Sequence, residues 1–155
     1  FQFGKPAQVG FDLSLKGVNR VGDGEGIGKV FIDSTKQNNH VSVELVEVDG
    51  KEGWLLAPGV YDFVMNEGCN ISSNRVAFIK QRSSLMRNGA LMQSSLFDPG
   101  FKTENIGSYC FIMLPIFIEK NARVAQMYFH ECTPVSEDKL YNGQWQNDKQ
   151  RKQCK

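Results

Sequence analysis

Two short stretches hold the residues whose types and spacing could do chemistry. In the first, Arg82-Ser83-Ser84-Leu85-Met86-Arg87-Asn88-Gly89, two arginines and two serines fall within six residues. Guanidinium forks and hydroxyls at that density can grip a polyanion. Ser84 is expected to cap a short helix, turning free backbone N–H groups toward the same anion. Ser83 and Arg87, four apart, would share a face of that helix, and Asn88-Gly89 would end it. The second stretch is Leu96-Phe97-Asp98-Pro99-Gly100-Phe101. Asp, Pro and Gly in that order make a tight turn, with Gly free to take positive φ at the third position. The turn would hold the Asp98 carboxylate at a strand end. Each stretch also has a plainer reading, a solvated loop for the first and an ordinary turn for the second.

The rest of the chain must position these groups. Its 155 residues make one domain with room for a core, and 41% hydrophobic with 23% charged residues fits a soluble globular chain rather than a disordered one. A net charge of +1 gives no general case for nucleic-acid or membrane binding. No apolar run approaches a membrane span, and no signal peptide is visible. The chain opens at Phe1 rather than Met, which suggests a trimmed form and leaves a removed targeting segment open. The basic tail Lys149–Lys155 reads as disordered or as a further phosphate contact. Cys69, Cys110, Cys132 and Cys154 show no C-x-x-C spacing, so a reducing, cytoplasmic setting is expected. Cys110, in an apolar run, reads as a buried thiol. With only His40 and His130 present, there is no zinc deaminase signature and no credible Ser-His-Asp set. Gly22–Lys29 fails as a phosphate loop, because Asp23 stands where a Gly is needed and Val30 where Ser or Thr should follow the Lys.

The patterning is that of strands. Gly10–Leu15, Val41–Leu45 and Ala122–Phe129 alternate apolar and polar, and Val30-Phe31-Ile32 reads as a short strand. Asp49-Gly50 and Pro58-Gly59 mark turns on either side of a strand starting at Trp54, with another over Val60–Met65. Tyr109–Ile118 is nearly continuous and apolar, as in a strand buried on both sides at a barrel centre or a subunit interface, with Pro115 demoting part of it to an edge or bulge. Many short strands between Gly, Pro, Asn and Asp turns, with no long helix and no repeat, predict an all-β barrel or sandwich.

Several segments together resemble the dUTPase-like superfamily, in its dCTP deaminase branch. Arg82–Gly89 is similar to that branch's RSSLxRxG segment, and Phe97–Phe101 to the IDPGF segment at similar spacing. Val9–Leu13 resembles the first superfamily motif, Leu56–Val64 the L-x-PG-x-F-x-L strand pair, Ala122–Phe129 the RIAQL motif, and Leu140–Gln146 the KYQGQ opening of the C-terminal lid. The resemblance implies a distorted jelly-roll β-barrel over residues 1–140, a lid or tail over 141–155, and a homotrimer. It also implies a pyrimidine deoxynucleoside triphosphate (dNTP) as substrate and Mg²⁺ carried on the phosphates, with no metal bound by the protein alone. In that reading Arg82, Ser83, Ser84 and Arg87 hold phosphates. Gln126 reaches phosphate from a neighbouring subunit or is simply a polar residue of the barrel, and Gln144 meets phosphate from the lid. Asp98 orients the attacking water, Phe101 lies under the deoxyribose, and Asp12 supports structure.

The chain also departs from the pattern. The hydrolase branch's glycine-rich C-terminal motif is missing. Thr103 replaces the glycine two residues after Phe101, and residues 103–106 read as a small insertion with Gly107 as the displaced glycine. Deaminases of the branch activate water with a Glu ten residues after the turn Asp. That position is Ser108 without a gap and Ile112 with the insertion, and the only nearby acid is Glu104. Hydrolysis of dUTP or a related dNTP to the monophosphate and pyrophosphate is therefore the expected activity. Deamination of dCTP, and a non-catalytic nucleotide-binding or structural relative, are the alternatives.

Overall fold

The computed structural model describes residues 4–22 and 27–148. The centre of the Gly22–Lys29 loop and the basic tail from Lys149 lie outside the described residues. The strands are β1 (Phe11–Val21), β2 (Lys29–Val30), β3 (Thr35–Lys36), β4 (His40–Ser42), β5 (Val46–Val48), β6 (Lys51–Leu56), β7 (Gly59–Met65), β8 (Cys69–Asn70) and β9 (Arg75–Gln81). A short α-helix, α1 (Ser83–Arg87), precedes β10 (Ala90–Gln93), β11 (Lys102–Thr103), β12 (Gly107–Ile112), β13 (Ile116–Glu119) and β14 (Arg123–Glu131). The chain is nearly all-β, as its turn-punctuated alternation predicts.

Strand β1 is the axis of the main sheet. It pairs antiparallel with β14, β7 and β4, and the sheet runs β10-β12-β7-β1-β14-β9. Its inward residues are Leu13, Leu15 and then Val18. The three-residue step coincides with a register shift between Leu15 and Gly17, where a bulge moves the inward phase by one residue. With Phe63, Met65, Ile106, Val124 and Cys110 these side chains fill the core; each large one contributes about 1.5–3 kcal/mol through burial. Burial pushes the Cys110 thiol up to about 12, so it stays protonated and unreactive.

The two end strands of the sheet, β9 and β10, nearly close it into a barrel. They meet through a side chain: Gln81 Nε2 donates to the Ala90 carbonyl (2.9 Å) and Gln81 Oε1 accepts from the Met92 N–H (2.6 Å). Beside this rung Ala77 and Phe97 exchange both backbone hydrogen bonds, at 3.0 and 3.1 Å.

Some expectations need correction. Ser84 does not cap α1: Arg82 is the N-cap residue, without a side-chain cap bond, and Ser84 lies in the first turn. The expected strand Val30–Ile32 stops at Val30, because the chain turns back through Phe31 N–H to Ser34 O, leaving Ile32 fully exposed. Strand β4 ends at Ser42 rather than Leu45. The apolar run Tyr109–Ile118 is two strands broken before Pro115. In β12, Ser108, Cys110 and Ile112 are buried whereas Tyr109 and Phe111 are exposed, so within this chain it is covered on one face only.

Candidate active site

The Asp98 turn forms as its residue types require. Phe101 N–H donates to Asp98 O (3.1 Å), and Gly100 takes φ +85°. A Cβ on Gly100 would also lie 2.8 Å from Leu140 Cβ, since the tail packs against the turn. Tyr141 N–H donates to Pro99 O (2.9 Å). Gln146 binds three backbone groups: its Oε1 accepts from Lys102 N–H (2.8 Å), and its Nε2 donates to Gly100 O (2.8 Å) and Tyr141 O (3.1 Å). The rings of Phe97, Phe101 and Tyr141 follow one another at 5.5 and 5.3 Å.

Asp98 and Phe101 line a cavity of about 580 Å³, within the size range of small-molecule sites. Tyr141 and Trp145 of the tail line it as well, with Ser108 and Tyr109 of β12, Asp62 of β7, Asn19 of β1, and His40. Asn19, Asp62 and Tyr109 are direct cross-strand partners, so they share one face of the sheet. Asn19 Nδ2 donates to Asp62 Oδ2 (3.3 Å). His40 Nδ1 meets the Asn38 carbonyl at 2.9 Å, which requires an N–H there; in the neutral ring Nε2 then accepts from the Tyr109 hydroxyl, 3.0 Å away.

The arginine–serine cluster lies elsewhere. Arg82, Ser83, Ser84 and Arg87 are absent from the cavity lining, and the last three are exposed. Gln126 Nε2 donates to Asp12 Oδ1 (3.1 Å), and Arg123 Nη1 to Asp12 Oδ2 (2.8 Å). The bond from Arg123 holds the Asp12 carboxyl below its ordinary value against the opposing effect of burial, and Gln126 and the nearby Arg82 charge add to the lowering. Two side chains of one distant motif thus converge on the Asp12 carboxylate, with the Arg82 charge acting on it as well, which gives Asp12 a structural role. Gln144 is exposed and outside the cavity lining. Of the eight candidates, one chain brings only Asp98 and Phe101 to the cavity.

Sequence reasoning missed Asp62, Asn19, His40, Tyr141, Trp145, Arg123 and Gln146. Asp62 had a signal: a carboxylate inside the apolar strand Val60–Val64 asks for a polar destination. The others have meaning only once register and tail docking are known.

A family model described as dCTP deaminase-like matches residues 4–132. The chain belongs to the dCTP deaminase-like family. Among similar proteins, the "Probable deoxyuridine 5'-triphosphate nucleotidohydrolase" of Methanosarcina mazei is 32% identical over 146 residues, covering 90% of this chain and 79% of the relative. The "Deoxyuridine 5'-triphosphate nucleotidohydrolase" of Methanocaldococcus jannaschii is 34% identical over 129 residues, covering 83% and 80%. In three dimensions the chain is similar to the 2'-deoxycytidine 5'-triphosphate deaminase of Agrobacterium tumefaciens, with a TM-score of 0.62 at 14% identity. That match covers 87% of this chain and 45% of the deaminase chain, and it carries the fold alone. The dCTP deaminase-like segment ends before the tail that supplies Tyr141, Trp145 and Gln146.

Proposed function

We propose that the protein hydrolyses a pyrimidine dNTP, dUTP or a related one, to the monophosphate and pyrophosphate. The observation that carries this is which carboxylates face the cavity. Asp98 does. Of the positions where a deaminase would place its Glu, Ser108 has a buried hydroxyl that donates to Gln93 O (3.0 Å), and Ile112 is packed in the core. Glu104 is exposed and outside the lining. The printed names of the archaeal relatives point the same way.

In this reading Phe101 lies under the deoxyribose and Asp98 orients a water and takes up its proton. The water oxygen bonds to the α-phosphorus, the bond from that phosphorus to the bridging oxygen breaks, and pyrophosphate leaves with the electron pair. Arg82, Ser83, Ser84, Arg87 and Gln126 hold phosphates at a neighbouring subunit's cavity in a homotrimer, which explains why one chain keeps them apart from Asp98. Residues 1–140 form the barrel, and residues 141–155 are a lid that closes over the triphosphate, with Gln144 meeting phosphate. A cytoplasmic setting suits the free thiols of Cys110 and Cys132.

The donors fit a hard cation that arrives on its substrate. Among the described residues no three His, Cys, Asp or Glu side chains gather into a metal cage. Mg²⁺ favours phosphate oxygens and retained waters, which the triphosphate brings with it. When bound, the ion would neutralise charge developing on the phosphates.

Incubation with each dNTP and Mg²⁺, with chromatographic separation of products, tests the reaction. A pyrimidine monophosphate and pyrophosphate are expected, with a loss of about 10²–10⁴-fold in Asp98→Asn. Stoichiometric ammonia from dCTP that survives in Asp98→Asn and vanishes in Glu104→Gln would overturn hydrolysis in favour of deamination.

A further inference from the structure

The backbone that carries Asp98 and Phe101 has two edges. On one, Gly100 N–H donates to Ile71 O (3.0 Å) and Ile71 N–H donates to Phe101 O (2.9 Å), so the segment pairs like a strand with the residue that follows β8. On the other edge stands a side chain. Gln146 Nε2 donates to Gly100 O (2.8 Å) and Gln146 Oε1 accepts from Lys102 N–H (2.8 Å), so one amide grips the two backbone groups that flank Phe101. A side-chain amide offers the same kinds of donor and acceptor as a peptide unit, and here it takes the place of a neighbouring strand. The same Nε2 donates to Tyr141 O (3.1 Å), and Tyr141 N–H donates to Pro99 O (2.9 Å), which closes the tail onto the turn.

We propose that Gln146 is a positioning residue for the hydrolysis: its amide fixes the backbone on both sides of Phe101, and through the turn it sets where the Asp98 carboxylate meets the attacking water. Phe101 N–H closes that turn on Asp98 O (3.1 Å), so a shift of the Phe101 backbone carries Asp98 with it. Gln146 is absent from the cavity lining and acts only through the turn. Misplacing a catalytic group by about 1 Å is enough to cost about 10²-fold in rate. The assignment rests on the reading that Asp98 orients water in this cavity, and it names the tail residue that aims the carboxylate.

Rates of pyrophosphate release from dUTP and dCTP with Mg²⁺ test it in two substitutions. Gln146→Glu keeps the size and the acceptor toward Lys102 N–H, but sets lone pairs against Gly100 O and Tyr141 O. Gln146→Met keeps the length and loses all three bonds. The buried apolar core runs from Leu13 to Met127, so both variants retain the barrel. In each, kcat and kcat/KM should fall together by about 10²-fold, the signature of an interaction used in the transition state. A raised KM with kcat unchanged would overturn the assignment, since Gln146 would then serve substrate binding alone. The second readout is a double-mutant cycle on the residual single-turnover rate of Asp98→Asn. With the carboxylate gone there is nothing left to aim, so adding Gln146→Glu should cost less than about threefold more. A further loss equal to that in the wild-type background would show that Gln146 acts apart from Asp98, and would overturn the assignment too. Pyrophosphate release that neither Gln146 substitution slows defeats this assignment alone, whereas a wild-type protein that releases none defeats the hydrolytic reading along with it.

Discussion

Asp12 shows how one carboxylate ties distant segments of the chain together. It is buried under Arg123, whose side chain is 54% exposed, and it holds Gln126 in the same grip. Its depressed acidity has a definite sign in pH. A carboxyl lowered in the folded state adds stability that is complete above its unfolded value, near 3.8, and is lost as pH falls through the lower folded value. Urea midpoints of wild type and Asp12→Asn should therefore differ at neutral pH and converge in strong acid. A gap of equal size at both extremes would show that Asp12 acts without its charge. The alternation of Gly10–Leu15 predicted the strand that carries Asp12, but not its partners: Arg123 lies 111 residues away, and only the β1–β14 register brings them together.

Among the elements, the turn at Asp98 was the most legible in the sequence, because few residue types suit each of its positions. The tail was the least legible. Gln146 is an ordinary polar residue until its amide is found bonded to three backbone groups of the turn and tail. Exposed apolar residues misled most, since Phe31 and Ile32 carry a strand's composition without a strand's partners. Turn and tail should respond together to one added methyl. Gly100→Ala places a Cβ 2.8 Å from Leu140 Cβ at φ +85°, and the left-handed backbone alone costs about 1–2 kcal/mol. Faster proteolysis of the tail and a shift in Trp145 emission are expected, with Trp54 buried in the core as the internal control. Unchanged cleavage and emission would mean that the tail does not depend on this contact.

At the scale of the whole molecule, the separation of Asp98 from Arg87 makes an arithmetic prediction. If a neighbouring subunit completes each cavity, Asp98→Asn and Arg87→Ala are both inactive alone, yet co-refolded in equal amounts they form some intact sites. Random assortment around a three-fold axis makes about a quarter of the sites wild type at both positions. Activity near that level, in particles of trimer mass by light scattering, is the expected result. No recovery from mixed trimers would place both residues in one chain's site. The exposed face of β12 bears on this, because Phe111 alternates with core residues and is 43% exposed in a single chain. The sequence registered this stretch as apolar on both sides, and only the fold shows which side its own core occupies.

Gln81 closes the barrel seam with a side-chain amide where other strand pairs use backbone, and this makes the seam the natural place for the molecule to breathe. A backbone rung is held by its neighbours along the ladder, whereas an amide at the end of a flexible stem can leave by changing rotamer. Amide hydrogen exchange at Met92 and at the Ala77–Phe97 bridge should therefore proceed through partial openings well below the free energy of global unfolding, while β1 and β7 exchange only when the whole domain opens. Arg82 follows Gln81 directly, and Asp98 follows Phe97. One excursion would release the arginine proposed to hold phosphate and the candidate catalytic carboxylate at once. Gln81→Leu should speed exchange at these amides specifically, and equal protection in the variant would show that the Ala77–Phe97 bridge alone holds the seam.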